Sequence, residues 1–89
     1  LASFIFDKEA FGQFSEWALE DKKIFQKITE LLQETRRSPF TGKGKPEPLK
    51  HQLAGYWSRR ITDEHRLVYK MDGNGNVVII SCKGHYSRN

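Results

Sequence analysis

Cysteine is almost missing from this chain. Cys82 is the only one among 89 residues, which excludes a disulfide framework and a cysteine-built zinc site. No histidine and carboxylate stand as a pair at metal-ligand spacing either, so no metal and no cofactor are expected. Long apolar runs are absent: nothing approaches the roughly 18 residues of a membrane span. No charged segment precedes a signal-like apolar stretch. The expectation is a cytoplasmic protein without a membrane partner. Internal repeats and low-complexity tracts are lacking too, and the length is too small for two independent cores, so residues 1–89 are expected to form one domain.

What is present is unevenly charged. Up to Arg37 six Lys/Arg face seven Asp/Glu; from Ser38 onward nine face four. A basic half attached to a near-neutral half suggests one face that meets a polyanion.

The pattern of elements is legible. Phe4-Ile5-Phe6 is a short strand candidate before Asp7, a good helix N-cap. Phe11, Phe14, Trp17 and Ala18 recur at helical spacing, and Asp21 can cap a second helix with the stripe Ile24, Ile28, Leu31 and Leu32. Arg36 and Arg37 suit the last turn of that helix, and Pro39 stops it. From Phe40 to His51 the chain reads as a loop with no apolar period. Tyr56 to Thr62, His65 to Met71 and Val77 to Gly84 are strand candidates, the last two joined by the turn Asp72-Gly73-Asn74-Gly75. The order β-α-α-β-β-β predicts an α+β fold, with two N-terminal helices packed on one face of a small twisted antiparallel sheet. The other sheet face is left to the basic residues.

Strand alternation sorts the candidates for chemistry. Leu67, Tyr69 and Met71 should face the helices, which puts Arg66, with Glu64, on the open face. Arg59 and Arg60 are neighbours, so at most one of them can lie beside Arg66. A three-residue loop centred on Asp63 would select Arg60 and a two-residue turn Arg59; the register stays open. Glu47, Arg66 and His85 together offer a carboxylate, a guanidinium and an imidazole. Cutting RNA without a metal needs little more than a base for the 2′-hydroxyl, a cation for the phosphate and an acid for the leaving oxygen. A carboxylate is ionised at neutral pH, a bidentate guanidinium matches the charge of a phosphorane, and an imidazole can donate a proton near neutrality. Lys43, Lys45 and Lys50 would draw the phosphate backbone toward Glu47, and His51 could touch phosphate. His65 is expected to pack on the helix side and Cys82 to fill core. Trp57 fits either core filling or stacking on a base.

Taken together, the run TRRSPFTGKGKPEPLKHQLAGYWSRRITDEHRLVYKM and the later SCKGHY resemble the YoeB/Txe-type toxins of the RelE superfamily. The likeness covers essentially the whole chain and is most specific from Thr35 to Tyr69. It implies a compact microbial-ribonuclease fold and an endoribonuclease that cuts mRNA in the A site of the 70S ribosome. The general base of such toxins would fall on Glu47, the phosphate-stabilising arginine on Arg66 and the general acid on His85. Tyr86, Lys50, Arg60 and Glu64 would be further cleft residues. The partners implied are an antitoxin with an acidic, disordered C-terminal segment (YefM-like), operator DNA reached only through that antitoxin, and in some members a second copy of the toxin. One departure is Gly84, which stands where a bulkier residue is familiar. A catalytically silent corepressor module and a gyrase-directed toxin compete as readings of the same fold, and the complete set of base, arginine and acid speaks against both.

Overall fold

The computed structural model describes residues 2–85. Strand β1 (Phe4–Phe6) leads into helix α1 (Lys8–Glu20) and helix α2 (Lys22–Arg37). Then come β2 (Glu47–Pro48), a single 3-10 turn at His51–Leu53, β3 (Trp57–Arg60), β4 (Arg66–Met71) and β5 (Val77–Ser81).

Both helices start where the sequence says they should. The Asp7 carboxylate accepts the Ala10 N–H, and the Asp21 carboxylate accepts those of Lys23 and Ile24, so donors orphaned at each helix start are satisfied. On α2 the buried side is Ile28, Leu31, Leu32 and Thr35. On α1 the buried side is turned relative to the expected stripe. Ala10 and Trp17 are buried, whereas Phe11 and Ala18 lie exposed. The small Ala10 side chain lets α1 come close to the end of β5, where the Cys82 thiol lies 3.9 Å from the Ala10 carbonyl oxygen.

The two helices cover one face of a five-stranded sheet with order β1-β5-β4-β3-β2. The expected succession of elements stands, with two differences. The sheet is mixed rather than antiparallel, because β1 lies parallel to β5. That position places Phe6 against Phe14, which stacks on Phe25 of α2, with ring centroids 5.0 and 4.8 Å apart. The strand therefore buries its aromatic side against the helix pair instead of closing a hairpin. The second difference is β2, which arises inside the segment read as a loop. Glu47 pairs with Ser58 and Pro48 with Trp57, while the Gly44 carbonyl and the Leu49 N–H bond to β3 and its approach. Proline cannot donate to a ladder, so Pro46 and Pro48 are tolerated only because this strand is the edge of the sheet. Leu49, just past it, is buried.

The core is Ile28, Leu31 and Leu32 of α2 against Leu67, Tyr69, Val77 and Ile79 of the sheet, closed by Trp17. Trp57 packs on the helix side of this core and against Phe40, ring centroids 4.6 Å apart. It is a packing residue on the face opposite Arg60 and Arg66.

Candidate active site

The open sheet face is laid out by the strand register. Glu47 pairs with Ser58, Ser58 with Val68 and, at a register shift between β4 and β5, Val68 with Ser81; Glu47 is exposed, whereas Ser58 and Val68 are buried. Two residues along, Arg60 pairs with Arg66. Ile61 N–H donates to the His65 carbonyl, which leaves Thr62, Asp63 and Glu64 as a three-residue loop. The open choice between Arg59 and Arg60 is thereby decided for Arg60.

The loop between β3 and β4 gathers the cations. Arg60 Nη1 lies 3.1 Å from Asp63 Oδ1. Arg66 donates from Nη1 to the carbonyls of Thr62, Asp63 and His65 at 2.5, 3.2 and 3.2 Å. His85 Nε2 sits 3.1 Å from the Asp63 carbonyl oxygen. Three carbonyls on one nitrogen fix the roll of the Arg66 guanidinium, a side chain that would otherwise keep much of its rotamer freedom. Arg66 is half-buried, whereas Arg60 and His85 are exposed to an incoming polyanion.

Glu47 stands exposed on the far side of β3 from Arg66. Glu47 and Arg66 are thus two strands apart and offset by two residues along β3, so they do not touch. Among the described residues no ion pair engages the Glu47 carboxylate. Beside His85 opens a cavity of about 360 Å³, lined among others by Leu53, Val68, Ser81 and Lys83. The register thus puts Glu47, Arg60 and Arg66 on one face, with His85 beside the loop that carries Asp63. Glu64 is exposed in the loop beside them, its N–H held by Thr62 Oγ1. Lys43, Lys45, Lys50 and His51 are all exposed along the segment that carries Glu47. Lys45 and His51 adopt positive φ, 51° and 57°, and so bend that segment on either side of β2. Tyr86 lies outside the described residues.

Two supporting systems were not evident in the sequence. The first centres on Arg59, whose side chain is fully buried. It points to the helix side and fans out to the carbonyls of Ser38, Thr41 and Lys43, with Nε 3.3 Å from the Tyr69 hydroxyl. That hydroxyl donates to the Pro39 carbonyl at 2.6 Å. Burial pushes the Tyr69 phenol up from its ordinary range, against the opposing pull of Arg59. Arg59 thus binds the segment that delivers Glu47 to β3. The available signal was the adjacent arginine pair: alternation forces one onto the core face, where only a loop rich in unpaired carbonyls can satisfy it.

The second system holds the chain after β5. Cys82 N–H donates to Gln13 Oε1, and its carbonyl accepts the Trp17 indole N–H. Lys83 reaches Glu16 and Glu20 at 2.9 and 3.2 Å, and these hydrogen bonds hold its ammonium above the usual lysine range. Gly84 N–H donates to His65 Nδ1, and the Gly84 carbonyl accepts the Arg66 N–H. Cys82 itself is not a nucleophile here, since burial pushes its thiol up to about 12. Among the described residues no group of three His, Cys, Asp or Glu side chains is arranged to hold a metal ion. No helix among the described residues is long and apolar enough to cross a membrane.

Known proteins are similar to this chain in sequence and in overall fold. The family model for the "YoeB-like toxin of bacterial type II toxin-antitoxin system" matches residues 6–86. Toxin YoeB of Escherichia coli K12 is 52% identical over 82 residues, covering 92% of this chain and 96% of its own. The YoeB dimer from Staphylococcus aureus superposes with a TM-score of 0.88 at 45% identity, over 96% of this chain and 98% of that one. The toxin in the heterotetrameric YoeB-YefM toxin-antitoxin complex of the same organism gives 0.87 at 46%, over 97% and 99%.

Proposed function

The chain belongs to the YoeB-like toxins of bacterial type II toxin–antitoxin systems, and from that membership we propose that it is an endoribonuclease that cuts mRNA in the ribosomal A site. The observation that carries the reading is the Arg60–Arg66 pair on the open sheet face, with Glu47 on one side of it and His85 on the other. In this reading base, phosphate clamp and acid follow one another across the sheet, the succession an in-line displacement would use.

In the proposed reaction Glu47 takes the proton of the 2′-hydroxyl. The 2′-oxygen attacks phosphorus, and the bond to the 5′-oxygen breaks. Arg66, assisted by Arg60, binds the non-bridging oxygens as they gain charge, and His85 gives its proton to the departing 5′-oxygen. The products are a 2′,3′-cyclic phosphate, which can open to a 3′-phosphate, and a free 5′-hydroxyl. The side chains supply every charge the displacement requires, so it runs without a divalent metal. Lys43, Lys45, Lys50 and His51 flank Glu47 and would steer the backbone of the message, while Glu64 and Tyr86 complete the cleft. In the cell the cytoplasmic toxin is held by an antitoxin of the YefM kind, whose acidic segment covers this face. The complex, rather than the toxin alone, binds operator DNA, and the toxin can pair with a second copy.

The test is cleavage of a programmed message on 70S ribosomes. Glu47→Ala, Arg66→Ala and His85→Ala should each lower single-turnover cleavage by about 10²–10⁴-fold while leaving the domain folded. A message with a 2′-deoxy or 2′-methoxy group at the cut site should not be cut at all. Unchanged cutting of that message would make water the nucleophile and overturn the mechanism. Wild-type rates for one of the three variants would remove that residue from it.

A further inference from the structure

The tail that carries His85 is held by a residue outside the proposed catalytic set. His65 stands immediately before β4, with its ring edge-on to Trp17 at 4.8 Å and 77°. Its Nδ1 accepts the Gly84 N–H at 2.8 Å, so the proton of the neutral ring is on Nε2 while this bond exists. Gly84 adopts φ of +79°, a left-handed conformation that suits glycine and turns its two main-chain groups toward β4. Its carbonyl accepts the Arg66 N–H at 3.0 Å. The same His65 offers its own carbonyl to Arg66 Nη1 at 3.2 Å. One residue therefore touches the Arg66 guanidinium through its backbone and the residue before His85 through its ring.

We propose that His65 is a positioning residue for the cut, acting through Gly84 to fix the approach of His85. This rests on the reading of His85 as the general acid. Upstream, Cys82 is tied to α1 by two hydrogen bonds, but the segment turns again before His85. The bond from His65 is made by the residue immediately before the acid. A general acid must meet its oxygen within hydrogen-bond reach, and a misplacement of about 1 Å can cost roughly 10²-fold in rate. The His65 ring packs edge-on to Trp17 and accepts the Gly84 N–H, which links it to the tail before His85.

Two substitutions separate packing from the hydrogen bond. His65→Phe keeps a ring against Trp17 and removes the acceptor; His65→Asn keeps an acceptor oxygen at the δ position and removes the ring. In single-turnover cleavage on saturating ribosomes, H65F should be slowed about 10–100-fold with little change in the ribosome concentration at half-maximal rate. H65N should stay within about threefold of wild type. In an H85A background H65F should cost almost nothing further, because the group it positions is gone. Nuclear magnetic resonance supplies a readout independent of activity: a scalar coupling across the hydrogen bond between Gly84 N and His65 Nδ1, present in wild type and absent in H65F. Wild-type cleavage by H65F, failure of H65N to retain activity, or an equal loss from H65F with and without His85 would each overturn the proposal. Absence of the coupling in the wild-type protein would do the same. If H85A itself cleaves at full rate, the acid assignment has failed, and that result is distinct from H65F alone proving silent.

Discussion

Arg59 shows how a single buried cation can organise a site it does not enter. Its guanidinium has no carboxylate partner among the described residues; three loop carbonyls and the Tyr69 hydroxyl take its place. Carbonyl oxygens solvate the charge, and the five donors of the guanidinium fork can reach several at once, which a lysine ammonium on one flexible stem cannot. Removing it leaves the carbonyls of Ser38, Thr41 and Lys43 without their donor and opens a hole beside Tyr69. Arg59→Leu should therefore lower stability by about 3 kcal/mol, and Arg59→Lys should recover less than half of that. Urea denaturation of the three proteins checks it. A loss below about 0.5 kcal/mol for the leucine variant would mean that the segment is held by other contacts.

At the scale of elements, the turn from β4 to β5 contains the clearest pH response. The Asp72 carboxylate accepts the N–H of Asn74 and of Asn76 at 2.8 and 2.9 Å, and the Asn76 side-chain amide at 3.2 Å. These bonds favour the charged form, the Asn76 backbone N–H most, and hold the Asp72 carboxyl below its usual range. A group depressed in the folded state contributes stability above its unfolded pKa and loses it as pH falls through the folded value. Asp72→Asn keeps one acceptor oxygen but cannot titrate. Melting temperature plotted from pH 7 down to pH 2 should consequently fall less steeply for D72N than for wild type. Parallel curves would show that the turn does not carry this linkage. The segment before β2 has a conformational lock of its own. Gly44 adopts φ of +82°, and a Cβ there would lie 3.0 Å from Leu31 Cδ2 and 3.1 Å from Arg59 Cβ. Only glycine lets the chain lie this close to α2 and β3.

For the molecule as a whole, charge and shape divide the labour. The helices cover one sheet face; Arg60 and Arg66 lie on the other, with exposed Lys43, Lys45 and Lys50 along its edge segment, while Arg59 is buried and Lys83 pairs with α1. An acidic antitoxin segment should be steered to that face, so its association rate should fall with salt, while apolar anchors keep dissociation slow. Arg60→Ala and Arg66→Ala should each slow association and flatten its salt dependence. Rates unaffected by salt and by both substitutions, measured by surface binding kinetics, would place inhibition on another surface.

Local signals in the sequence determined most of the elements. Asp7 and Asp21 announce the helices by capping, Pro39 ends α2, alternation marks β4, and Asp72-Gly73-Asn74-Gly75 turns the chain. Each depends on neighbours a few residues apart, and so survives in one dimension. The proposal of Glu47, Arg66 and His85 as one set rests on residue type and family likeness, and their separation in the chain gives no distance. Tertiary structure decided the rest. The parallel place of β1, the edge strand at Glu47–Pro48, the pairing of Arg60 with Arg66 and the two tethers at Arg59 and His65 all join residues far apart in the chain or depend on loop register. Their physical cause is the same: buried polar groups must find partners wherever packing brings them, and a sequence does not show which carbonyls that packing will leave open.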